Sequence, residues 1–82
     1  MLEARTDAAT GGAAVTPSDT IDIGRTTASL YVGTGGDVAV VHEDGSIVTY
    51  PSVPSGFVLP VHATRVNATN TTASGIVAMF HG

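Results

Sequence analysis

From about Arg25 onward, apolar and polar residues alternate along the chain or form short β-branched runs that end at glycine, proline or polar turns. Alternation with a period of two is typical of β-strands, and no segment with a helical period competes with it. The pattern predicts five or six short strands within residues 27–32, 37–42, 46–50, 57–59, 61–67 and 76–80. It favours an all-β fold over residues 25–82, a small antiparallel β-sandwich or barrel of jelly-roll-like architecture.

Two of the predicted strands are apolar on both faces. Val38 and Val40 point opposite to Ala39 and Val41, and residues 76–80 are apolar throughout. A strand with one wet face should alternate, so both strands need a second covering layer, either the other sheet or a partner subunit. The candidate interface residues are Leu2, Val15, Ile21, Ile23, Tyr31, Ala39, Val41, Val77 and Met79.

The first 24 residues differ from the rest of the chain. They are rich in Ala, Thr, Gly and Asp, and they contain no aromatic residue. A segment of this composition cannot bury enough apolar area to order itself. We therefore predict an extended N-terminal arm over residues 1–24, which is either a tail or a segment that becomes ordered on a partner.

Glycines and prolines separate the predicted strands. Residues 33–37, GTGGD, contain a G-x-G pattern, but a dinucleotide loop needs a third glycine and a following helix, and a P-loop needs a lysine. Position 38 is valine, the next residues predict a strand, and the chain has no lysine. We interpret this stretch as a hairpin turn whose glycines supply positive φ angles, and Asp-Gly as a second hairpin. The predicted structural turn residues are Gly33, Gly35, Gly36, Asp44, Gly45, Pro54 and Gly56.

Charged residues are scarce in this 82-residue chain. They make up 12% of it, against about a quarter in ordinary soluble domains, while apolar residues reach 43%. There is no cysteine, so no disulfide can support the small core. Because so small a core needs additional support, we expect part of the protein surface to be buried against other copies of the chain, in a trimer or a pentamer.

Charge and hydropathy also exclude several classes of partner. The net charge is −4 and the three arginines are scattered, which argues against a nucleic-acid partner. No apolar run approaches the roughly 20 residues of a membrane-spanning helix. The first residues carry acids and no apolar core of a signal peptide, so we expect synthesis in the cytoplasm.

No catalytic constellation is visible in the sequence. His42, His62 and His81 lie far apart without the spacing of metal ligands, and no serine lies in a nucleophile-elbow pattern. We therefore expect no enzyme activity, catalytic residue, metal or cofactor. The aromatic residues have two interpretations. They could form a sugar-stacking platform in a carbohydrate-binding module, or they could pack in the core, as aromatic residues of small β folds more often do.

Three segments also carry a family resemblance. LYVGTGGDVAVV (30–41), EDGSIVTYPSVPSGFVLPV (43–61) and TRVNATNTTASGIVAMF (64–80) resemble, in order and spacing, the small spike-base proteins of gene transfer agents and related tailed phages. The resemblance covers roughly residues 19–80. Asn70 departs from it, since a glycine is expected at this position of the loop.

This resemblance implies a structural protein of the virion and no catalytic residues. Such proteins lie on the exterior of the head, as the base of a spike or as a decoration subunit, after synthesis in the bacterial cytoplasm. The implied partners are further copies of the chain, the major capsid protein and a spike fibre protein. The carbohydrate-binding alternative would add contact with a glycan of the host surface.

Overall fold

The computed structural model describes residues 11–80, which form seven strands and no helix. This confirms the all-β prediction, with seven strands in place of five or six. Within these residues, no helix is long and apolar enough to cross a membrane. The strands are β1 (Gly11–Ala14), β2 (Ser29–Thr34), β3 (Gly36–His42), β4 (Ile47–Val53), β5 (Phe57–Leu59), β6 (Ala63–Asn67) and β7 (Ser74–Phe80).

The strands form two antiparallel sheets that enclose one core. The four-stranded sheet has the order β1-β7-β2-β5, and the three-stranded sheet has the order β4-β3-β6. Leu30, Val32 and Ile76 point inward from the first sheet, and Val38 and Val40 from the second; all are at most 2% exposed. Burial of these branched side chains between the sheets supplies the main stabilising term. The predicted β-sandwich is confirmed.

The glycine stretch between β2 and β3 does not form the predicted hairpin. The two strands belong to different sheets, so the chain crosses from one layer of the sandwich to the other here. Gly33 lies inside β2 and Gly36 begins β3, which leaves only Gly35 between them. A Cβ on Gly35 would collide with the Val53 carbonyl oxygen and lie 2.8 Å from the Ser55 nitrogen. Glycine is required here because other backbone approaches closely.

The Asp44-Gly45 turn forms the predicted hairpin between β3 and β4. Gly45 has φ 91°, a conformation that favours glycine. The backbone N–H and the hydroxyl of Ser46 donate to Asp44 Oδ1 over 3.0 and 2.7 Å. These hydrogen bonds lower the pKa of Asp44 below its ordinary value of 3.8. The ionised carboxylate of Asp44 therefore stabilises the turn by accepting these two hydrogen bonds.

Part of the predicted arm lies on the domain of its own chain. Strand β1 pairs with β7, and Val15 N–H extends this pairing by donating to the Ile76 carbonyl over 2.9 Å. The chain then passes along β6, where Ser18 N–H donates to Val66 O and Ile23 N–H to Thr64 O, each over 2.9 Å. Residues 15–23 thus close one side of the sandwich. Ordering of the arm on a partner stays a prediction.

Candidate interaction surface

The outer side of the four-stranded sheet carries a row of apolar side chains. Ala14 is opposite Val77, Val77 is opposite Tyr31, and Tyr31 is opposite Val58, so one row crosses all four strands. Met79, two residues after Val77, lies on the same face. We call these five residues the apolar face. Tyr31 and Val58 are 38% and 45% exposed, and no strand of this sheet contains a charged residue.

The structure brings together three of the predicted interface residues, Tyr31, Val77 and Met79. It adds Val58 and Ala14, which the sequence analysis missed. Three residues of β5 are too few to establish a period, and β1 lies where composition indicated an arm. An interface role for these residues stays a prediction.

The other candidate interface residues have different surroundings. Ala39 and Val41 are 1% and 9% exposed in the single chain, so they offer little surface to a partner. Val15 and Ile23 are half-buried against the core, whereas Ile21 is 72% exposed. Leu2 lies outside the described residues.

The outer side of the three-stranded sheet is more polar. Arg65 Nη1 contacts Asp22 Oδ1 over 3.1 Å, and Arg65 Nε donates to Asn67 Oδ1 over 2.9 Å. Ile47, which is 60% exposed and opposite Val41, is the exposed large apolar residue of this side. The described acidic residues lie outside the four-stranded sheet altogether. The two sides of the sandwich therefore differ, one apolar and uncharged, the other carrying an ion pair.

An open cleft of about 580 Å³ lies at the end of the β3–β4 hairpin, between His42, Tyr50 and His62. His42 Nε2 is hydrogen-bonded to the Tyr50 hydroxyl over 2.8 Å, and His62 Nδ1 donates to the Thr27 carbonyl over 3.0 Å. The serine of the cleft, Ser46, donates its hydroxyl to Asp44, not to a histidine. The residues that the structure describes contain no group of three or more His, Asp or Glu placed to hold a metal ion. The cleft has room for a small polar ligand, and its serine is not paired with a histidine.

Asp19 attaches the predicted arm to the loop between β6 and β7. Its carboxylate accepts the Thr69 hydroxyl over 2.6 Å and the Thr69 backbone N–H over 2.9 Å. The hydroxyl, followed by the backbone N–H, lowers the pKa of Asp19 below its ordinary value of 3.8. This attachment is therefore present above pH 3.8 and is lost as the pH falls through the lowered pKa.

We expect Asp19→Ala to lower the Tm by a few degrees at pH 7, because the variant loses both hydrogen bonds. The difference from the unmodified protein should shrink below pH 3.8, where Asp19 itself becomes protonated. Thermal unfolding followed by circular dichroism between pH 2 and 7 measures this. A difference in Tm that stays constant over the whole range would contradict the role of the ionised carboxylate.

A comparison with solved structures shows that the chain is similar to a protein of a virion-like particle. A chain described as "Capsid of native GTA particle computed with C5 symmetry" superposes with a TM-score of 0.78 at 35% sequence identity. The match covers 95% of this chain and 99% of that chain. No protein-family model and no curated protein matches. At this identity over nearly the full length of both chains, the protein belongs to the family of this capsid chain of a gene transfer agent.

Proposed function

We propose that the protein is a non-enzymatic structural subunit on the exterior of the head of a tailed phage or gene transfer agent, as a spike base or a decoration subunit. The end-to-end similarity to a chain of a gene transfer agent capsid carries this proposal. The match includes 95% of this chain and 99% of that chain, so the likeness is not confined to a short segment of either.

The apolar face supports self-assembly and attachment to the major capsid protein. Tyr31, Val58 and Val77 form an uncharged row in a protein of few charges, and contiguous exposed apolar patches mark sites of interaction with a partner. In the proposed function, copies of the chain cover this face with one another or with the capsid. In the proposed function the copies form a closed ring, as a trimer or a pentamer, and a spike fibre would be bound above it.

The carbohydrate-binding alternative gains no support from the positions of the aromatic residues. Tyr31 and Phe57 are the exposed ones among the described residues, but they point to opposite faces of the sheet, because Phe57 pairs with the inward-pointing Val32. Tyr50 is half-buried with its hydroxyl engaged by His42, and Phe80 is buried. These residues form no coplanar platform for a sugar ring.

The test is attachment to heads that lack the protein. Particles produced without the gene should lose density on the outside of the head, and the purified protein should restore that density and sediment with the heads. Because the contact is apolar, raising NaCl from about 0.1 to 1 M, which shortens the Debye length from roughly 10 to 3 Å, should release little of it.

A matched control is the same salt series with isolated heads alone, which reports whether the capsid itself remains intact. Failure to sediment with intact heads would overturn the proposed function. Release in moderate salt would overturn the apolar nature of the contact and leave the location on the head unaffected.

A further inference from the structure

Among residues 11–80, the two sheets have four edge strands, and two of these, β6 and β4, carry features that oppose pairing with another chain. Strand β6 is bordered by the arm, whose Ser18 and Ile23 donate to its carbonyls. Strand β4 contains Pro51 and has a left-handed residue, Ser52, at φ 55°. Prolines and irregular backbone are among the devices that prevent an edge from pairing with another chain. The strands β1 and β5, at the two edges of the four-stranded sheet, contain no proline, charge or bulge.

The hydrogen-bonding groups of these two edges can be identified from the register. The Val15 N–H donates to the carbonyl of Ile76, the residue directly opposite it on β7. Along an antiparallel pair of strands, opposite residues that exchange hydrogen bonds alternate with opposite residues that do not. Gly12 and Ala14 are of the second kind, so their N–H and C=O groups point away from β7. The same alternation can be followed through the register of β7 with β2 and of β2 with β5. It shows that the N–H and C=O of Val58 point away from β2. Each edge thus presents backbone donors and acceptors outward.

Direction and side-chain face also match between the two edges. Because every neighbouring pair in the order β1-β7-β2-β5 is antiparallel, β5 runs antiparallel to β1. Placing β1 of a second copy beside β5 therefore continues an antiparallel sheet. Val58 and Ala14 both lie on the apolar face. If they pair, the apolar faces of the two copies therefore lie on the same side of the continued sheet.

Side-chain sizes favour pairing of β5 with β1 over pairing of either edge with itself. Strand β1 is Gly-Gly-Ala-Ala and exposed at all four positions. Strand β5 carries Phe57 and Val58, which are 43% and 45% exposed. Large side chains beside glycine and alanine fill space that two β1 strands would leave empty. Neither edge contains a charged residue that would oppose the contact.

We propose that β5 of one copy pairs antiparallel with β1 of a second copy, with Val58 opposite Ala14 or Gly12. The contact is head to tail, so it generates a closed ring when the rotation between copies returns to the start. This inference rests on the self-assembly in the proposed function and adds its mechanism. It also gives residues 11–14 a role between copies as well as within one.

Paired cysteines test this contact in a protein that has none of its own. A hydrogen-bonded antiparallel pair has its Cα atoms about 5.5 Å apart, within the roughly 4.4–6.8 Å that a disulfide spans. Oxidation of the assembled Val58→Cys/Ala14→Cys protein, or of Val58→Cys/Gly12→Cys for the shifted register, should give a ladder of covalent oligomers of the 8.2 kDa chain. Each single variant should stay monomeric on a denaturing gel.

The single variants distinguish the alternatives. Covalent dimers of Val58→Cys alone would indicate that two β5 edges pair, and dimers of Ala14→Cys alone that two β1 edges pair; either result overturns the proposal. Native mass spectrometry of the same samples reports the oligomer independently. Intact oligomers without cross-links in either double variant would overturn the strand pairing while leaving the proposed function in place, which head attachment tests separately.

Discussion

Replacing Gly35 by alanine is expected to destabilise the domain by about 3 kcal/mol, since a methyl group has no room at this crossing between the sheets. The new Cβ would meet the Val53 carbonyl oxygen, the Ser55 nitrogen at 2.8 Å and the Pro54 carbonyl carbon at 3.1 Å. All three are backbone atoms, which cannot rotate away as a flexible side chain would. At about 0.05–0.15 kcal/mol per residue, 82 residues have roughly 4–12 kcal/mol of stability, so the loss is a large part of it.

Urea unfolding followed by circular dichroism measures the effect, with Gly11→Ala as the matched control. A Cβ on Gly11 would meet nothing within 4 Å, so this variant should unfold within about 0.5 kcal/mol of the unmodified protein. If Gly35→Ala were as stable as Gly11→Ala, the close approach of the β4–β5 connection to this glycine would be wrong.

The glycine stretch shows where prediction from the sequence ends. The strand pattern from Ser29 to Phe80 followed from alternation and β-branched runs, because side chains on a sandwich strand point alternately to core and solvent. The sequence could not tell a hairpin from a crossing between sheets at Gly35, since both need glycine. The distinction depends on Val53 and Ser55, about twenty residues away in the sequence, and on contacts that no local pattern contains.

The apolar face could also be predicted from the sequence only in part. Tyr31 alternates with the apolar Leu30 and Val32, so a period of two identifies it as outward. Residues 76–80 are apolar on both faces, so only the strand pairing shows that Val77 and Met79 point outward. Ala14 and Val58 join the surface only through strand pairing. Strand β1 is formed by glycine and alanine, which have low strand propensity, so its order comes from hydrogen bonds to β7 and not from its own side chains.

Replacing Tyr31 by lysine is expected to reduce attachment to heads or self-assembly at least about 100-fold. The substitution removes the largest side chain of the apolar face and places an unpaired charge in the middle of a row without charges. Loss of an aromatic anchor together with burial of an uncompensated charge costs about 3 kcal/mol or more at a protein interface. Tyr31→Phe keeps the apolar ring and should assemble within a few-fold of the unmodified protein. Sedimentation with heads and native mass spectrometry measure the two processes separately.

The matched control is Ile47→Lys, which adds the same charge at an exposed apolar residue on the opposite side of the sandwich. Both variants should keep the Tm within a few degrees, because Tyr31 is 38% and Ile47 60% exposed in the single chain. If Ile47→Lys detached from heads while Tyr31→Lys remained attached, the three-stranded sheet would be the attachment surface. If both variants assembled and attached normally, neither outer face would be an interface, and self-association would have to depend on the edges of the sheets alone.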